Sequence, residues 1–279
     1  MPELPEMQAL AERLDVALAG SAVTRADPLG FTALKTVTPG PDELPGRRVT
    51  GIGRRGKYLV FGLDGGLRVL VHLSQAGRLD IESPPKATRP KGSVVRIHFD
   101  NGSAILVREH GTQRKAAWWV LGPGDDGPLA SLGPEPDDAA FAEVLMTNDS
   151  NRRIHTVLRD QRIVAGLGRG YVDDVLNAVG LSPFAPMRTL SPEQRHTLVT
   201  AVRSILSNAL EQERKRSGGL SEPKLGLRFA VHNRAGQPCP RCGRPLLRVS
   251  YESYEIVYCK HCQTNDRALA DRRLSRLLR

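Results

Sequence analysis

The apolar positions of the first half of the chain change from helical to strand-like spacing near Gly20. Before that glycine they recur at helical spacing, which predicts one amphipathic helix that Gly20 closes. The apolar face of this helix consists of Met7, Leu10, Ala11, Leu14 and Leu18. From Val23 to about Val120, short apolar runs alternate with glycine-containing turns such as Asp64-Gly65-Gly66. Short runs separated by turns of this kind predict a β-sandwich.

Six strands can be placed in this region from the runs themselves. They are predicted at residues 49–52, 58–63, 67–73, 93–99, 103–108 and 116–121. The stretch 122–136 is rich in Gly, Pro and Asp, which is typical of a linker. We therefore predict a first domain over residues 1–121, with the linker following it.

After the linker the apolar positions return to helical spacing, which predicts a helical domain over residues 137–235. Two short helices are marked by Phe141, Val144 and Leu145, and by Ile154, Val157 and Leu158. The clearest helix begins at Ser191-Pro192-Glu193-Gln194, with serine as N-cap, proline at the first helical position and glutamine at the third. Its buried stripe is predicted to consist of Leu198, Val202, Ile205, Leu206 and Leu210.

The only four cysteines of the chain form two Cys-x-x-Cys pairs near the C-terminus, Cys239/Cys242 and Cys259/Cys262. This spacing is typical of a closed, structural four-thiolate zinc site, and the residues between the pairs alternate as a β-hairpin does. Disulfide pairing is the alternative, but nothing in the sequence indicates export. We predict one structural zinc ion in a hairpin over 236–264, with His261 at the surface, and a basic tail over 265–279.

Two glycines, Gly166 and Gly168, stand just ahead of a predicted helix that contains Tyr171. Glycines at a helix start expose backbone N–H groups and the positive end of the helix dipole, which together favour phosphate. A helix–helix turn without a ligand is the alternative.

Charge favours a polyanionic partner over a membrane. Forty Lys and Arg against thirty Asp and Glu give a formal net charge of +10, and the basic clusters lie mainly in the second half. Such a field attracts nucleic acid. The chain has neither a signal-peptide pattern nor an apolar run of about eighteen residues. We expect a monomeric, cytoplasmic, nucleoid-associated protein.

The chain opens Met1-Pro2-Glu3-Leu4-Pro5-Glu6. Because proline is small, we expect Met1 to be removed, which leaves a secondary amine on Pro2. An α-amino group titrates at about pH 8, so much of it is unprotonated and nucleophilic near neutrality. Such an amine attacks a carbon at the aldehyde level and forms an iminium, with Glu3 and Glu6 beside it for proton transfer. The alternative is that these residues only start a helix.

Five ordered motifs carry a resemblance to a known family. They are the Met-Pro-Glu-Leu-Pro-Glu opening, Arg55-Gly56-Lys57-Tyr58, His72-Leu73, the Gly166–Tyr171 turn, and the zinc hairpin ending Cys262-Gln263. In this order they resemble the bacterial formamidopyrimidine-DNA glycosylases and their endonuclease VIII relatives, over nearly the whole chain. The resemblance implies an α+β multidomain fold: an N-terminal helix and β-sandwich, a helix–two-turn–helix domain, and the zinc hairpin. It also implies a bifunctional enzyme that performs base excision and AP lyase cleavage on damaged double-stranded DNA.

The resemblance further implies roles for individual residues. Pro2 would attack C1′ of the damaged nucleotide, Glu3 would shuttle protons with Glu6 nearby, and Lys57 would contact phosphate and assist the chemistry. The residues that it implies at the DNA are His72, Arg114, His155, Gly168, Arg169, Tyr171 and Tyr254.

The sequence departs from the family where DNA is read. Gln75 stands at the methionine wedge, and 110–115 matches the stretch with the other void-filling residues poorly. In the two-turn motif, Arg169 replaces an asparagine and Asp174 replaces a glutamate. In the hairpin, Tyr254 replaces an arginine. His155 aligns with a lysine implicated in reading oxidised guanine, and the loop 218–229 is short. We therefore expect a preference for bulky adducts, crosslinks or abasic sites over oxidised guanine.

Three functions are compatible with these residues. The first is a DNA glycosylase/AP lyase with an unusual lesion preference. The second is a damaged-DNA-binding protein of the same fold with weak or no turnover. The third, a zinc-ribbon adaptor for RNA or transcription, has no use for an N-terminal proline amine, and we favour the first.

Overall fold

The computed structural model describes residues 1–111, 114–216, 228–250 and 255–269. Its contacts divide into two compact units. The first unit holds Met1–Ala130 and the last turns of a long helix from Leu210 onward. The second unit holds Ser131–Ala209 and the described residues from Arg228 to Leu269.

The first unit begins with one helix and continues with eight strands. These are α1 (Leu4–Leu18), β1 (Val23–Pro28), β2 (Val49–Arg55), β3 (Tyr58–Leu63), β4 (Arg68–His72), β5 (Gly77–Glu82), β6 (Ser93–Phe99), β7 (Ala104–Glu109) and β8 (Ala117–Leu121). They form two antiparallel four-stranded sheets, ordered β1-β6-β7-β5 and β2-β3-β4-β8. Apolar side chains of α1 and of both sheets share one core, so the predicted sandwich is confirmed.

Helix α1 is attached to the second of these sheets by a specific contact. The Asp15 carboxylate accepts a hydrogen bond from the Ile52 N–H at 2.7 Å, and α1 packs on β2 and β3. Leu14 and Leu18, on the face predicted from spacing, are fully buried. The N-terminal residues ahead of α1 are therefore held on a fixed element.

Two strands, β1 and β5, were not among the six predicted from the sequence. In β5 the usual burial pattern is inverted, because Arg78 and Glu82 are buried whereas Ile81 is 42% exposed. Glu82 forms an ion pair with Arg96 on β6, at 2.9 Å between Oε2 and Nε, and its Oε1 accepts a hydrogen bond from Arg96 Nη2 at 3.4 Å. A strand with buried charges carries no apolar alternation, which is why periodicity does not detect it.

The second unit contains the remaining helices and a hairpin. These are α2 (Ala139–Thr147), α3 (Ile154–Arg159), α4 (Arg169–Val179), α5 (Pro192–Lys215), β9 (Leu247–Ser250), β10 (Glu255–Tyr258) and α6 (Lys260–Thr264). The predicted start of α5 is confirmed: Ser191 Oγ accepts the Gln194 N–H, and Gln194 Oε1 accepts the Ser191 N–H. The antiparallel pairing of β9 with β10 confirms the hairpin, and the predicted linker contains a short 3-10 helix at Gly127–Ser131.

A buried arginine holds the helices of this unit together. Arg195 is 7% exposed, and its guanidinium donates hydrogen bonds to four backbone carbonyl oxygens. The acceptors are Leu145, Asn148, Met187 and Leu190, at 2.6–3.2 Å. Four of the five N–H donors of this buried charged group therefore join α2, α5 and the loops between them.

No helix within the described ranges is long and apolar enough to cross a membrane.

Candidate functional site

The N-terminus is organised as the cap of α1. The Glu6 carboxylate accepts a hydrogen bond from the Glu3 N–H at 2.8 Å, the geometry of a capping box. Pro2 is buried, and Glu3 and Glu6 are 3% and 2% exposed. The interpretation that these residues start a helix is thus correct, and it does not exclude chemistry. The Glu3 side chain in turn accepts the Glu6 backbone N–H, so the cap positions both carboxylates.

Lys57 and His72 are brought together by strand pairing. Lys57 precedes β3, whose first residue, Tyr58, pairs with His72 on β4, and the Tyr58 and His72 rings lie 4.7 Å apart. Burial, helped by the neighbouring Lys57 charge, lowers the pKa of His72 to about 4. Because this value lies far below neutrality, His72 is an uncharged imidazole near pH 7, which can donate or accept a hydrogen bond. Lys57 is 7% exposed.

The loop after β4 presents Gln75, the residue at the family's wedge position. Gln75 is exposed, whereas its neighbour Ser74 is buried with a φ of 54°. Gly77 closes the loop with a 2.8 Å hydrogen bond from its N–H to the Leu73 carbonyl. A Cβ on Gly77 would lie 2.1 Å from that carbonyl oxygen, so the turn requires glycine. The loop therefore holds an amide, not an apolar side chain, at its exposed tip.

Arg114 lies at the surface of the first unit. It is exposed and donates a hydrogen bond from Nη1 to the Glu109 carbonyl at 3.0 Å. The Glu109 carboxylate is buried and accepts the backbone N–H groups of Lys115 and Ala116. Thr112 and Gln113 lie outside the described residues. The accessible guanidinium is compatible with the predicted contact with DNA.

The glycine turn stands directly ahead of α4. Gly166 has a φ of 91°, its N–H donates to Gln161 Oε1, and Gly168 is the N-cap. Arg169, the first residue of α4, is half-buried. Gly170 is packed under the Phe229 ring, since a Cβ there would meet a ring atom at 2.2 Å. The turn thus presents a helix N-terminus and one guanidinium from a rigid support.

Two residues predicted to contact DNA are instead in the interior of the second unit. His155 is 1% exposed and its Nε2 lies 3.2 Å from Asp173 Oδ1. Tyr171 is 2% exposed, with its ring packed edge-on against Phe229 at 5.1 Å between centroids. A direct contact of either side chain with DNA is at odds with this burial. The resemblance to the family carries no information on side-chain accessibility.

Two adjacent aspartates that the sequence did not single out as a pair organise this region. Asp173 accepts hydrogen bonds from the Val257 N–H of β10 and from His232 Nδ1, and it also contacts His155. Asp174 accepts the N–H groups of Ala230, Val231 and His232 at 2.7–3.2 Å. The two carboxylates therefore connect α3, α4, the 230–232 segment and the zinc hairpin. In the sequence, Asp174 was noted only as the residue in place of a glutamate, and Asp173 was not noted.

Asp174 makes stability depend on pH in a predictable direction. Burial raises its pKa from 3.8 to about 6, despite three backbone N–H donors that lower it. A raised folded-state pKa means that the protonated form favours folding, so this stabilisation is complete below about pH 4 and is lost as the pH rises through about 6. The shift corresponds to roughly 3 kcal/mol.

We expect the Asp174→Asn variant to lack this titration. The unfolding free energy of the wild type minus that of the variant should then fall by roughly 3 kcal/mol between about pH 4 and pH 7. Urea denaturation of both proteins across this range measures the difference. A difference that stays constant with pH would show that Asp174 does not titrate there.

The four cysteines form a cluster of ligand atoms. Their Sγ atoms all lie within 4.8 Å of one another, and none forms a disulfide. Tetrahedral Zn–S bonds of about 2.3 Å place sulfur atoms about 3.8 Å apart, and Cys242 Sγ and Cys259 Sγ are separated by 3.6 Å. Four thiols in this arrangement fit one structural zinc ion. His261 is exposed and pairs with Asp266, as its predicted surface position requires.

Two amides attach the zinc cluster to α4. Gln263 Oε1 accepts the Cys259 N–H and an Asn177 Nδ2–H, while Gln263 Nε2 donates to the Leu181 carbonyl. Asn177 Nδ2 also lies 3.6 Å from Cys239 Sγ. Gln263, recognised in the sequence only as the residue after the last cysteine, is thus the central residue of this contact. Tyr254, predicted to lie at the DNA, and residues 270–279 of the predicted basic tail lie outside the described residues.

Comparison with known proteins identifies three consecutive matches to family models. The formamidopyrimidine-DNA glycosylase N-terminal domain matches residues 1–116, the H2TH domain of that glycosylase matches 132–219, and a zinc finger found in FPG and IleRS matches 236–265. The formamidopyrimidine-DNA glycosylase of Chloroflexus aurantiacus is 33% identical over 94% of this chain and 98% of the relative. That of Thermus thermophilus has the same identity and coverage.

Solved structures give the same result. The crystal structure of MutM (Fpg) from Thermus thermophilus aligns with a TM-score of 0.79 at 29% identity, over 94% of this chain and 98% of that one. A complex of MutM with DNA containing carbocyclic 8-oxo-G has a TM-score of 0.81 at 26% identity, covering 94% and 100%. A complex of Lactococcus lactis Fpg with DNA containing an abasic site has a TM-score of 0.80 at 26% identity, covering 94% and 99%.

Proposed function

The chain belongs to the formamidopyrimidine-DNA glycosylase family, and we propose that this base excision repair glycosylase also acts as an AP lyase through Pro2. The observation that carries the proposal is the N-terminal arrangement: Pro2 is buried ahead of α1, and the Glu3 N–H is held by Glu6. Relatives in the same family have been solved with DNA that contains a lesion or an abasic site. We therefore propose damaged double-stranded DNA as the substrate of a monomeric, cytoplasmic enzyme.

The reaction uses the amine of Pro2 as nucleophile. Its lone pair forms a bond to C1′ as the N-glycosidic bond breaks, and the base leaves with that bonding pair and a proton. Opening of the sugar ring gives an iminium between Pro2 and C1′. This cation withdraws electrons, so loss of a C2′ proton expels the 3′ phosphate by β-elimination, and δ-elimination then expels the 5′ phosphate. Hydrolysis of the imine returns the amine.

Glu3 is the group that we propose for the proton transfers. Its backbone N–H is fixed by the Glu6 carboxylate, which holds Glu3 at the N-cap beside Pro2. Lys57 supplies a cation for a substrate phosphate, and the uncharged His72 beside it offers a hydrogen bond. Proton transfer by a positioned side chain contributes about 10²–10⁴-fold to a rate.

We expect Glu3→Gln to impair base excision more than cleavage at a preformed abasic site, because the second substrate bypasses the glycosidic step. Rates on the two substrates, measured in single turnovers with the same flanking sequence, give the ratio directly. Glu43→Gln is the control, because Glu43 is a glutamate in the capping box of a short 3-10 helix elsewhere in the first unit. Equal losses on both substrates would contradict this division of labour.

The glycine turn is proposed to hold a DNA phosphate. Gly168 caps α4 and Arg169 opens it, so backbone N–H groups, the helix dipole and a guanidinium act together. Tyr171 supports the turn from the interior. Tyr254 carries no charge where relatives are expected to have arginine, so we propose that phosphate binding has shifted toward this turn, and that Tyr254 stacks on an exposed base or lesion.

Arg169→Ala should weaken binding to damaged and undamaged duplexes alike. Loss of one phosphate contact is expected to reduce the slope of log Kd against log salt by about one charge. Fluorescence anisotropy across a salt series measures the slope, with the surface variant Arg25→Ala as control. A slope equal to that of the wild type would exclude Arg169 from the phosphate contact.

The zinc ion is structural: Cys239, Cys242, Cys259 and Cys262 hold it, and it stabilises the hairpin without taking part in the reaction. With Gln75 in place of an apolar wedge, we propose that the enzyme favours DNA that is already unstacked, such as abasic or distorted sites, over stacked oxidised guanine.

Borohydride reduction in the presence of abasic DNA tests the proposed function. It should convert the iminium into a stable covalent protein–DNA product whose linkage maps to Pro2. Binding of abasic DNA without any trapped product would instead support the damage-binding alternative.

A further inference from the structure

The first unit contains a cavity of about 430 Å³ that the proposed chemistry does not use. It lies between the loop after β1, the chain entering β6 and the end of β7. Its inner lining is apolar and includes Leu29, Ala33, Val94 and Ala116. The volume lies within the usual range for small-molecule sites, which are mostly apolar with a few polar groups.

An aromatic ring stands at the rim of this cavity. Phe31 is fully exposed, an unusual position for a large apolar side chain. The backbone beneath it is ordered, since the Leu29 and Gly30 N–H groups both donate to the Val94 carbonyl and the Ala33 N–H donates to the Gly30 carbonyl. The ring is therefore a flat apolar surface on a fixed loop, as base stacking requires.

Three cations line the same cavity: Arg89, Lys91 and Arg114, all exposed. Each arginine is oriented by a backbone carbonyl, Leu29 for Arg89 and Glu109 for Arg114. A guanidinium has five N–H donors, so one such bond fixes its direction and leaves the remainder of the fork for a ligand.

Gly92 and Glu109, which line the cavity beside these cations, leave it open and positively charged. Gly92 has a φ of 85°, and a Cβ there would lie 2.3 Å from the Glu109 carbonyl oxygen and 2.8 Å from Arg114 Nη1. The one carboxylate in the lining, Glu109, accepts the N–H groups of Lys115 and Ala116 and is 4% exposed. Its charge is thus compensated by the backbone, and the groups presented to a ligand are cationic.

We propose that this cavity binds one nucleotide, with the base against Phe31 and the phosphate on the three cations. The ligand must combine a planar apolar face with an anion, and a nucleotide is the unit of DNA that does so. The nucleotide is either an unpaired residue of the DNA strand or a free mononucleotide. The first source rests on the proposed function, because it requires that the protein bind DNA.

The test compares a duplex with one unpaired adenine and the same duplex fully paired, by anisotropy. Neither contains an abasic site, so the outcome does not depend on chemistry at Pro2. Phe31→Ala should weaken binding of the bulged duplex at least about fivefold, the lower end for stacking on an aromatic ring, and leave the paired duplex within about twofold. Val37→Ala, which is 91% exposed outside the cavity, is the matched control and should change neither.

Two further experiments test the role of the cations and the source of the nucleotide. Lys91→Gln should weaken the bulged duplex more than Lys86→Gln, an exposed lysine on the same loop outside the lining. Competition of millimolar dAMP with the bulged duplex would support a site that also accepts free mononucleotides. If dAMP does not compete but Phe31→Ala weakens binding of the bulged duplex, the site binds unpaired residues of the DNA strand.

The proposal is overturned if Phe31→Ala leaves the bulged duplex within about twofold of the wild type without dAMP competition, or weakens both duplexes equally. Failure of the proposed function is distinguishable, because it would abolish borohydride trapping while leaving these binding ratios measurable.

Discussion

Replacing Pro2 with glycine is expected to reduce borohydride trapping and strand incision by roughly two orders of magnitude or more, as loss of a group central to covalent catalysis does. Glycine retains a primary amine, but its imine must be protonated before it can withdraw electrons, whereas the iminium of a secondary amine is permanently charged. Because Pro2 is buried in the cap of α1, DNA affinity should stay close to that of the wild type. Trapping gels and anisotropy on the same abasic duplex separate the two effects.

Pro5→Gly is the matched control, since Pro5 is the second residue of α1 and has no free amine in either form of the chain. Intact mass spectrometry establishes whether Met1 has been removed. A Pro2→Gly variant that incises normally, or an active protein that retains Met1, would refute Pro2 as the nucleophile.

Cys242→Ser is expected to have the largest effect on stability. Zinc binding supplies about 10–16 kcal/mol in isolated zinc-finger peptides, and a hairpin of this size has too small a core to fold without it. The variant should lose its zinc and the protection of β9 and β10 against hydrogen exchange, and DNA affinity should fall with them. Trapping at DNA concentrations high enough to saturate the variant should persist, because Pro2 lies in the other unit.

His261→Ala tests whether the effect belongs to the metal. His261 lies inside the second Cys-x-x-Cys pair but is exposed and is no part of the thiol cluster. Elemental analysis should find one zinc per chain in this variant and none in Cys242→Ser. A zinc-free wild type that binds DNA fully would refute the assignment.

Sequence periodicity predicted most of the fold because most elements bury one apolar face. Helix α1, the capped start of α5 and the central strands follow this rule, and β3 matches its prediction at both ends. Strand β5 does not, since its buried residues include Arg78 and Glu82. A pattern of apolar residues cannot predict the burial of Glu82, because that burial depends on its ion pair with Arg96 on β6.

The candidate site was predicted best where function requires a residue type at a fixed spacing. The four cysteines are of this kind, and their cluster is confirmed, whereas the catalytic role of the Pro2-Glu3 opening stays a prediction. His155 and Tyr171 were predicted to contact DNA, but both are buried, His155 against Asp173 and Tyr171 against Phe229. The sequence pattern does not show which side chains they pack against. The bridging roles of Asp173 and Asp174 were not predictable, because all of their partners except His155 lie more than fifty residues away in sequence.

The contacts of Gln263 show that the zinc hairpin is not a portable module. The metal gives the hairpin its fold, but its orientation comes from Asn177 and the Leu181 carbonyl at the end of α4. A graft of residues 236–264 onto another scaffold would bring the thiols and leave those partners behind. Exchange between proteins would preserve the hairpin's orientation only if α4 and its C-terminal turn were transferred with it. The segment that must be exchanged together is therefore longer than the hairpin that the zinc ion folds.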